Sequence, residues 1–547
     1  MPYPPRVSTA TSGPCDEGVI RQTHEEPCSP AAGRWVLAAT ILGSSMAFID
    51  GTVVMVALPV LQTDLGASVS AAQWIVESYS LLLSSLVLVG GSLADRFGRR
   101  RIFVIGTVVF DAASLACALS PGIVWIVLSR GAQGVGAALL IPSSLALLGA
   151  SFAPNRRGRA VGTWSALTAI ATSIGPALGG WLVQVVSWRA VFYLNLPIAA
   201  AVLLIALRKV PETRNPAAAG LDPAGALLAT LGLGSLVYGL IEAPSVGWRD
   251  PRAFGAVAGG LAALAGFVAV ELRIRHPMVS PALFRVRTFT AANLLTLFLY
   301  AALSAVLFFL PFELIQGRGY SPAAAGAAIL PFVVVISALS RSSGRIADRV
   351  GPRVPLTVGP IVAAAGFAVL AFGDPAASYA ASVLPGLTVL GLGMAITIAP
   401  LTATVLNAVG ADEAGAASGI NNAVARVAAL LAVAVFGILA AGAFNRSLDR
   451  RLGGASLPEP VRRFLDAERS KLGAMMPPAG ASAAEAETIG RAIRASLDDS
   501  FRVVSLAAAA LALAASACAA WGVARSSSSP SRRASSSSPS SSGRGSG

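Results

Sequence analysis

Two copies of one polar segment interrupt this apolar chain: Gly91-Ser-Leu-Ala-Asp95-Arg96-Phe-Gly98-Arg99-Arg100 and, 253 positions later, Gly344-Arg-Ile-Ala-Asp348-Arg349-Val-Gly351-Pro-Arg353. The copies share Gly, Ala, Asp, Arg, Gly and Arg at the same offsets. A polar segment repeated between long apolar stretches indicates a duplicated membrane bundle with a matching loop in each half. The repeat therefore favours a transporter.

The composition around these segments is that of a membrane protein. Of 547 residues, 55% are hydrophobic and 12% are charged, and the mean hydropathy is +0.70, whereas soluble domains carry about 25% charged residues. Nearly uncharged runs of about 20 residues recur, the length that crosses a hydrocarbon core of ~30 Å. We predict an all-α membrane protein with fourteen transmembrane helices, at 35–58, 73–94, 102–120, 123–149, 160–184, 190–207, 224–243, 254–272, 288–312, 324–340, 354–372, 379–405, 416–444 and 503–524.

The net charge of +14 reports topology rather than a nucleic-acid partner. Loops 2–3, 4–5, 6–7, 8–9 and 10–11 hold 18 Lys and Arg residues together, while the short loops on the other face hold 4. Because cytoplasmic loops are enriched in Lys and Arg, the basic face is predicted to be cytoplasmic, with both termini on that side. Residues 445–502, with 10 Lys and Arg, fall on the outer face, but long loops follow this rule weakly.

The position of the second polar segment predicts how the helices are grouped. In a plain repeat of six helices the copy would fall in loop 8–9, but it falls in loop 10–11, so two helices are inserted. The predicted organisation is a cytoplasmic tail (1–33), an N-terminal six-helix bundle (34–207), inserted helices 7 and 8 with their flanking loops (208–287), a C-terminal six-helix bundle (288–524) that includes a long extracellular loop (445–502), and a disordered Ser-rich tail (525–547).

Two intramembrane charges are candidates for proton coupling. Asp50 lies ~22 Å into the first helix and Arg130 ~10 Å from the outer end of the fourth, so their depths agree. A charge inside the bilayer costs roughly 2.5–3.5 kcal/mol on insertion scales unless it is paired or hydrated. We expect the two side chains to approach one another or share a cavity in which Asp50 exchanges a proton; a structural ion pair without proton traffic is the alternative.

Further polar residues inside the predicted helices are candidates for the cavity wall. Gln133 follows Arg130 by one helical turn, and Arg426 lies near the middle of helix 13, after two asparagines. The cavity candidates are Gln133, Asn421, Asn422 and Arg426.

The repeated segment is a candidate for a conformational latch. Charged contacts that hold one state and break in the other suit this role, although a basic turn is the simpler interpretation of a single copy. The candidate gate residues are Gly91, Asp95, Arg96, Gly98, Arg99, Asp348 and Arg349. In helix 5, small residues and a proline allow close helix packing and a bend, in the order Gly175-Pro176-Ala-Leu-Gly179-Gly180.

Together these motifs resemble the major facilitator superfamily, and within it the fourteen-helix drug:proton antiporter branch. The matches are the Gly91–Arg101 segment, Arg130-Gly-Ala-Gln133-Gly134-Val-Gly136, the Gly175–Gly180 motif, Phe48-Ile-Asp50-Gly-Thr52-Val-Val-Met55-Val-Ala57-Leu58-Pro59, and Trp188-Arg189…Phe192-Tyr-Leu-Asn195-Leu-Pro197. Met55, where the branch usually has Asn, and the lack of glycines after Arg426 depart from its pattern.

The resemblance implies alternating access by two rocking halves, with small amphipathic drugs, antibiotics or metabolites exported in exchange for protons. Arg130 and Asp50 would couple protons, Asp95 and Arg99 would belong to a cytoplasmic gate, and Gly175 and Pro176 would seal against leak. It implies a bacterial plasma-membrane protein that works as a monomer among lipids, with a small-molecule substrate and a proton gradient in place of any cofactor or metal.

Three other functions compete with this hypothesis. An ATP-driven pump is disfavoured because neither lysine, Lys209 or Lys471, follows a glycine, so a Walker A motif is absent from the sequence. An enzyme is disfavoured because the two histidines, His24 and His276, form no HExxH motif or Cys/His cluster. Uptake by proton symport remains the alternative within transporters.

Overall fold

A computed structural model describes residues 30–214, 222–274, 281–410, 413–453, 457–478 and 480–523. Most of the predicted N-terminal tail and all of the Ser-rich tail lie outside these residues. Within them the fold is entirely helical, and the prediction of fourteen helices able to cross a membrane is confirmed. They are α1 (Gly33–Asp64), α2 (Val69–Phe97), α3 (Arg99–Ala118), α4 (Ile123–Ser151), α5 (Arg156–Val185), α6 (Ala190–Lys209), α7 (Pro223–Val246), α8 (Pro251–Glu271), α9 (Arg287–Gly317), α10 (Pro322–Ser340), α11 (Arg353–Ala371), α12 (Leu384–Asn407), α13 (Ala416–Leu452) and α14 (Ala483–Gly522).

The helices pack in two groups that follow the chain order. Helices α1–α6 contact one another extensively, and so do α9–α14; we call these groups the N-terminal and C-terminal bundles. The groups meet chiefly where α5 packs against the start of α10 and where α2 packs against α13. Helical packing of this kind satisfies backbone hydrogen bonds within each segment, as the bilayer requires.

The two extra helices attach beside the bundles without interrupting either one. Helix α7 packs against both α2 and α13, at the seam between the bundles, and α8 packs extensively only against α7. Most of α8 is exposed, including the large side chains of Phe254, Leu261 and Val268. An apolar helix with one helical neighbour presents its remaining faces to lipid.

The repeated segment, predicted to be a loop, is mostly helical. Helix α2 continues to Phe97, and the reversal into α3 is made by Gly98 alone, at φ +110°. The second copy continues its helix to Val350 and turns at Gly351, at φ +81°. Both glycines donate their N–H to an equivalent alanine carbonyl, on Ala94 and Ala347, at 3.1 and 2.9 Å. Glycine is needed because L side chains avoid positive φ, and it lets the reversal follow the last helical turn directly.

The long loop predicted over 445–502 is also largely helical. Helix α13 continues to Leu452 and α14 begins at Ala483, with a helix at Glu459–Glu468 and a 3₁₀ turn at Arg469–Ala474 between them. The sequence analysis did not identify these helices, because charged residues on one helical face concealed an apolar stripe on the other. The stripe packs into its own core, which includes Val461, Leu465, Ile489, Ile493 and Leu497.

This compact region, the cap (residues 457–497), covers the ends of helices from both bundles. The Gln62 side chain on α1 donates to the Lys471 carbonyl at 3.0 Å, and the Gln316 side chain on α9 donates to Gln62 at 3.1 Å. Arg469 in the cap forms an ion pair with Asp449 on α13 at 2.5 Å, and Arg451 on α13 forms one with Asp499 on α14 at 2.9 Å. The bundles are therefore connected at the end that carries the cap.

The chain that leaves α6 returns to the start of α3. The N–H groups of Arg100 and Arg101 both donate to the Glu212 carboxylate at 3.0 Å, and the N–H of Arg99 donates to the Thr213 carbonyl at 2.8 Å. The first N–H groups of a helix have no acceptor within it and carry a partial positive charge. Glu212 therefore acts as a distant cap for α3, a role that its sequence position did not reveal.

Replacing Glu212 with alanine is expected to lower the free energy of unfolding by about 1–2 kcal/mol, the range measured for lost helix caps. Thermal unfolding of the purified protein in detergent measures the effect. Glu487→Ala is the matched control, because the Glu487 side chain is 70% exposed and pairs only across the surface with Arg491. Equal unfolding temperatures for the two variants would contradict the capping role.

Candidate functional site

A buried ion pair lies in the middle of the N-terminal bundle. Asp50 on α1 and Arg130 on α4 are each 1% exposed, and Arg130 Nη1 donates to Asp50 Oδ2. The structure thus brings together the two charges whose depths agreed in the sequence. Each partner compensates the other in a region where an isolated charge would be strongly disfavoured.

Two amides complete the coordination of the carboxylate. Gln133 Nε2 and Asn195 Nδ2 each donate to Asp50 Oδ1 at 2.9 Å, and Gln133 Oε1 accepts from Arg130 Nη1 at 2.7 Å. Asn195 also donates to Ser114 Oγ at 2.9 Å. Asp50 therefore receives hydrogen bonds from three side chains, Arg130, Gln133 and Asn195.

The arginine is held from its other side by α2. Arg130 Nε donates to the Ile75 carbonyl at 3.1 Å, and Arg130 Cζ lies 4.3 Å from the centre of the Tyr79 ring. The Tyr79 hydroxyl donates to the Ala47 carbonyl at 3.2 Å. Hydrogen bonding and a cation–π contact thus fix the guanidinium plane against α2.

Two residues of this cluster were not selected from the sequence. Asn195 belongs to the stretch quoted after helix 5, where its signal was an amide inside an otherwise apolar helix. Tyr79 carried no signal, because a single tyrosine in an apolar helix is ordinary core composition. Their roles became visible only when α2 and α6 were placed beside α4.

A cavity of about 970 Å³ lies between the bundles. Helices α1, α2, α4 and α5 form one wall, and α9, α10 and α13 form the other. The cavity reaches from Asp95, at the end of the bundle that carries the Gly98 and Gly351 turns, to Met55 and Pro176. We call that end, which holds most of the loop arginines, the basic end. The volume suits a drug-sized molecule.

The predicted cavity residues divide into two pairs. Asn422 and Arg426 line the cavity, one helical turn apart on α13. Gln133 and Asn421 do not: Gln133 is fully buried in the ion-pair cluster, and Asn421 donates to Thr296 on α9 at 2.7 Å. Asn421 differs from its neighbour because adjacent helical residues point about 100° apart.

The helix-5 motif packs α5 against both bundles. Gly175 faces Thr52 and Gly179 faces Val53 on α1; a Cβ atom at Gly179 would lie 2.8 Å from Val53 Cγ1. The next glycine faces the opposite bundle, since a Cβ atom at Gly180 would overlap the Pro322 carbonyl at the start of α10.

The contact between α5 and α10 is reciprocal. A Cβ atom at Gly326 on α10 would overlap the Pro176 carbonyl on α5. Glycines on both helices thus allow the two backbones to touch at the end of the bundle opposite the basic end. The motif therefore forms a contact between the bundles as well as a packing site within one of them.

The gate candidates lie at the basic end, on one side of the cavity. Asp95 pairs with Arg99 at 2.7 Å, so its described ion pair stays within the N-terminal bundle. The Arg96 guanidinium lies 5.6 Å from the centre of the Phe97 ring, and Gly91 lines the cavity wall.

The second copy of the gate is only partly described. Arg349 is exposed, and Asp348 lies on the helix that ends at Val350, but its side chain is outside the described part. In the portion of the chain that the structure describes, no group of three or more His, Cys, Asp or Glu side chains could hold a metal ion.

Comparison with known proteins agrees with this architecture. The sequence pattern of the Major Facilitator Superfamily matches residues 40–433. The chain is 37% identical over 433 residues to the multidrug resistance protein Stp of Mycobacterium tuberculosis (strain CDC 1551 / Oshkosh), which covers 79% of this chain and 80% of that protein. It is 34% identical over 471 residues to the tetracenomycin C resistance and export protein of Streptomyces glaucescens, with 84% and 87% coverage.

A solved structure supports the fold. The inward-facing, unoccupied crystal structure of a bacterial homologue of the human lysosomal transporter Spinster superposes with a TM-score of 0.60 at 18% identity, over 90% of this chain and 98% of that one. The family match spans most of the sequence, and fourteen spans agree with the fourteen-helix branch. The chain therefore belongs to the Major Facilitator Superfamily, and it is a membrane transporter rather than an enzyme.

Proposed function

We propose that this transporter exports small amphipathic antibiotics or metabolites in exchange for protons, by alternating access between its two bundles. The observation that carries the proposal is the buried Asp50–Arg130 pair, which lies in a bundle that also forms a wall of the 970 Å³ cavity. A titratable carboxylate inside a membrane transporter marks a proton pathway by default. The names of the relatives, which refer to resistance and export, support the outward direction.

The hydrogen bonds around Asp50 suggest how protonation acts on conformation. Ionised Asp50 accepts from Arg130, Gln133 and Asn195. A proton on Asp50 neutralises the carboxylate and leaves the Arg130 cation without its counter-ion in a region of low dielectric. The state in which Arg130 gains water or another acceptor then becomes favoured, so proton uptake and release bias the two conformations in opposite directions.

In the conformation described here, the cavity between the bundles extends to the basic end. The bundles touch at the opposite end through α5 and α10, and the cap joins α1 to α9 there. We place the basic end and both termini on the cytoplasmic side of the bacterial plasma membrane, and the excess of arginine at that end supports this orientation. Substrate then enters from the cytoplasm, and the gate formed by the repeated segments closes behind it.

A single chain contains all the elements that the proposed transport cycle requires. Ion pair, cavity and bundle contacts all lie within one copy, so we propose that it works as a monomer. Its exposed apolar side chains, such as Val124 and Leu128 on α4 and Trp181 on α5, face lipid. The driving force is the proton gradient, and no cofactor takes part.

Transport by inside-out membrane vesicles tests the direction and the coupling. With the vesicle lumen acidified, tetracenomycin C and other antibiotics of a panel are expected to accumulate inside, and their addition is expected to accelerate loss of the pH gradient. Vesicles without the protein provide the control. Symport for uptake predicts the reverse, because an acid lumen would then drive the substrate out. Accumulation that is insensitive to collapse of the pH gradient would exclude proton coupling.

A further inference from the structure

One charged side chain in the cavity, Arg426, has no partner among the residues that the structure describes. Arg426 lies on α13, one helical turn after Asn422, and both line the cavity wall. Among the residues that the structure describes, Arg426 makes no hydrogen bond and no ion pair. Since an arginine carries its charge at any physiological pH, this cation faces the cavity uncompensated.

The contrast with Arg130 shows how unusual this arrangement is. Arg130 has a carboxylate, a glutamine and a backbone carbonyl as acceptors. The other charged residue of the cavity lining, Asp95, is held by Arg99 at the basic end. The deep part of the cavity therefore carries a net positive charge, which disfavours a cationic ligand and favours an anionic one.

The facing wall supplies a different chemistry. Thr168, Thr172 and Ser173 on α5 line the cavity, and each donates its hydroxyl to a carbonyl of its own helix, at 2.8, 2.7 and 2.6 Å. A hydroxyl committed in this way offers lone pairs to the cavity, so this wall accepts hydrogen bonds and is unsuited to an anion. Phe48 on α1 and Trp164 on α5 line the same wall as these hydroxyl groups and give it aromatic surface.

We propose that Arg426 is the anion-binding residue of the substrate site, and that the transporter's substrates are apolar ring compounds bearing an ionised acid group. The carboxylate or acidic phenolate of the substrate pairs with the guanidinium, hydroxyl groups elsewhere on it donate to α5, and the ring body packs against the aromatic side chains. This assignment rests on the proposed export function and specifies its substrate class.

A pair of probes that differ only in charge tests the assignment. 9-Anthracenecarboxylate is ionised at neutral pH, and 9-anthracenecarboxamide has the same rings without the charge. Binding of each to the purified full-length protein is measured by fluorescence titration. The carboxylate is expected to bind more tightly than the amide, and Arg426→Gln is expected to weaken carboxylate binding by about 10- to 100-fold while leaving amide binding unchanged.

Two further variants separate charge from general damage. Arg426→Lys keeps the charge without the bidentate geometry, so it should recover part of the preference for the carboxylate. Arg491→Gln, which removes a surface arginine whose side chain is 66% exposed, should match the unmodified protein. Equal binding of the two probes by the unmodified protein would overturn the proposal, as would equal weakening of both by Arg426→Gln.

Failure of the export function would be seen in a different measurement. In proteoliposomes, the pH gradient would then fail to move either probe, whatever the binding preference. A preference for the carboxylate that depends on Arg426, combined with gradient-driven movement, supports both proposals. If the pH gradient moves both probes and the protein binds them equally tightly, the export function stands and the anion-binding role of Arg426 is excluded.

Discussion

Replacing Asp50 with asparagine is expected to abolish transport driven by a pH gradient. The amide has nearly the shape of the carboxylate, but it cannot carry the proton or neutralise Arg130. Accumulation of substrate in inside-out vesicles with an acid lumen should fall to the level of vesicles that lack the protein. Exchange of labelled for unlabelled substrate at equal pH should persist, because the cavity is lined without contribution from Asp50.

The same substitution is expected to destabilise the fold, and a double variant separates the two effects. Asp50→Asn leaves the fully buried Arg130 cation without its ion-pair partner, which costs about 3–5 kcal/mol in comparable sites. Adding Arg130→Gln removes that uncompensated charge and should restore much of the unfolding temperature. Gradient-driven transport should stay absent in the double variant, since the titratable carboxylate is still missing.

A carboxylate elsewhere in the same bundle provides the matched control. Asp111 lies on α3, is partly buried and makes no contact with the ion-pair cluster among the described hydrogen bonds and ion pairs. The Asp111→Asn variant should still accumulate substrate when a pH gradient is applied. If Asp50→Asn retained gradient-driven accumulation while Asp111→Asn lost it, the proton site would have to be reassigned.

Replacing Gly180 with leucine is expected to force the bundles apart at the capped end. Even a Cβ atom at this position overlaps the Pro322 carbonyl of the opposite bundle, and backbone atoms cannot move aside as a flexible side chain can. Overpacking costs typically 1–3 kcal/mol, and about 1.4 kcal/mol shifts a conformational equilibrium tenfold. We therefore expect the state described here to be depleted by about 5- to 150-fold, with a corresponding loss of transport.

Distances between spin labels at the capped end measure this shift directly. Val186, after α5, and Phe372, after α11, are 67% and 68% exposed and lie in different bundles, so cysteines placed there can carry the labels. The Gly180→Leu variant should show a longer distance population than the parent.

Gly162→Leu is the control on the same helix, because a Cβ atom at Gly162 meets nothing within 4 Å. An unchanged distance distribution in Gly180→Leu would show that the α5–α10 contact does not hold the bundles together. Gly326→Leu should reproduce the effect from the other side of the contact, since it meets the Pro176 carbonyl.

The agreement between sequence and structure is closest where one physical requirement acts alone. Helix number follows from the need to bury about 20 apolar residues per crossing, and each of the fourteen predicted spans is present. The shared depth of Asp50 and Arg130 follows from helical rise and direction. The helices of the cap were not identified from the sequence, because the apolar stripe of a short amphipathic helix such as Glu459–Glu468 is hard to recognise among charged residues.

The sequence by itself determined the family, through its motifs, and the fourteen helices, because the length of an apolar run is a local property. It also determined the two charges that belong in one cluster, because a charge inside an apolar run is costly wherever the helix packs. Tertiary structure alone decided which neighbours complete that cluster, as Asn195 and Tyr79 show, and which polar residues face the cavity. Asn421 and Asn422 are adjacent in sequence, yet one packs against α9 and the other lines the cavity. Helix rotation makes that choice, and it is set by packing against the neighbouring helices, which no single segment encodes.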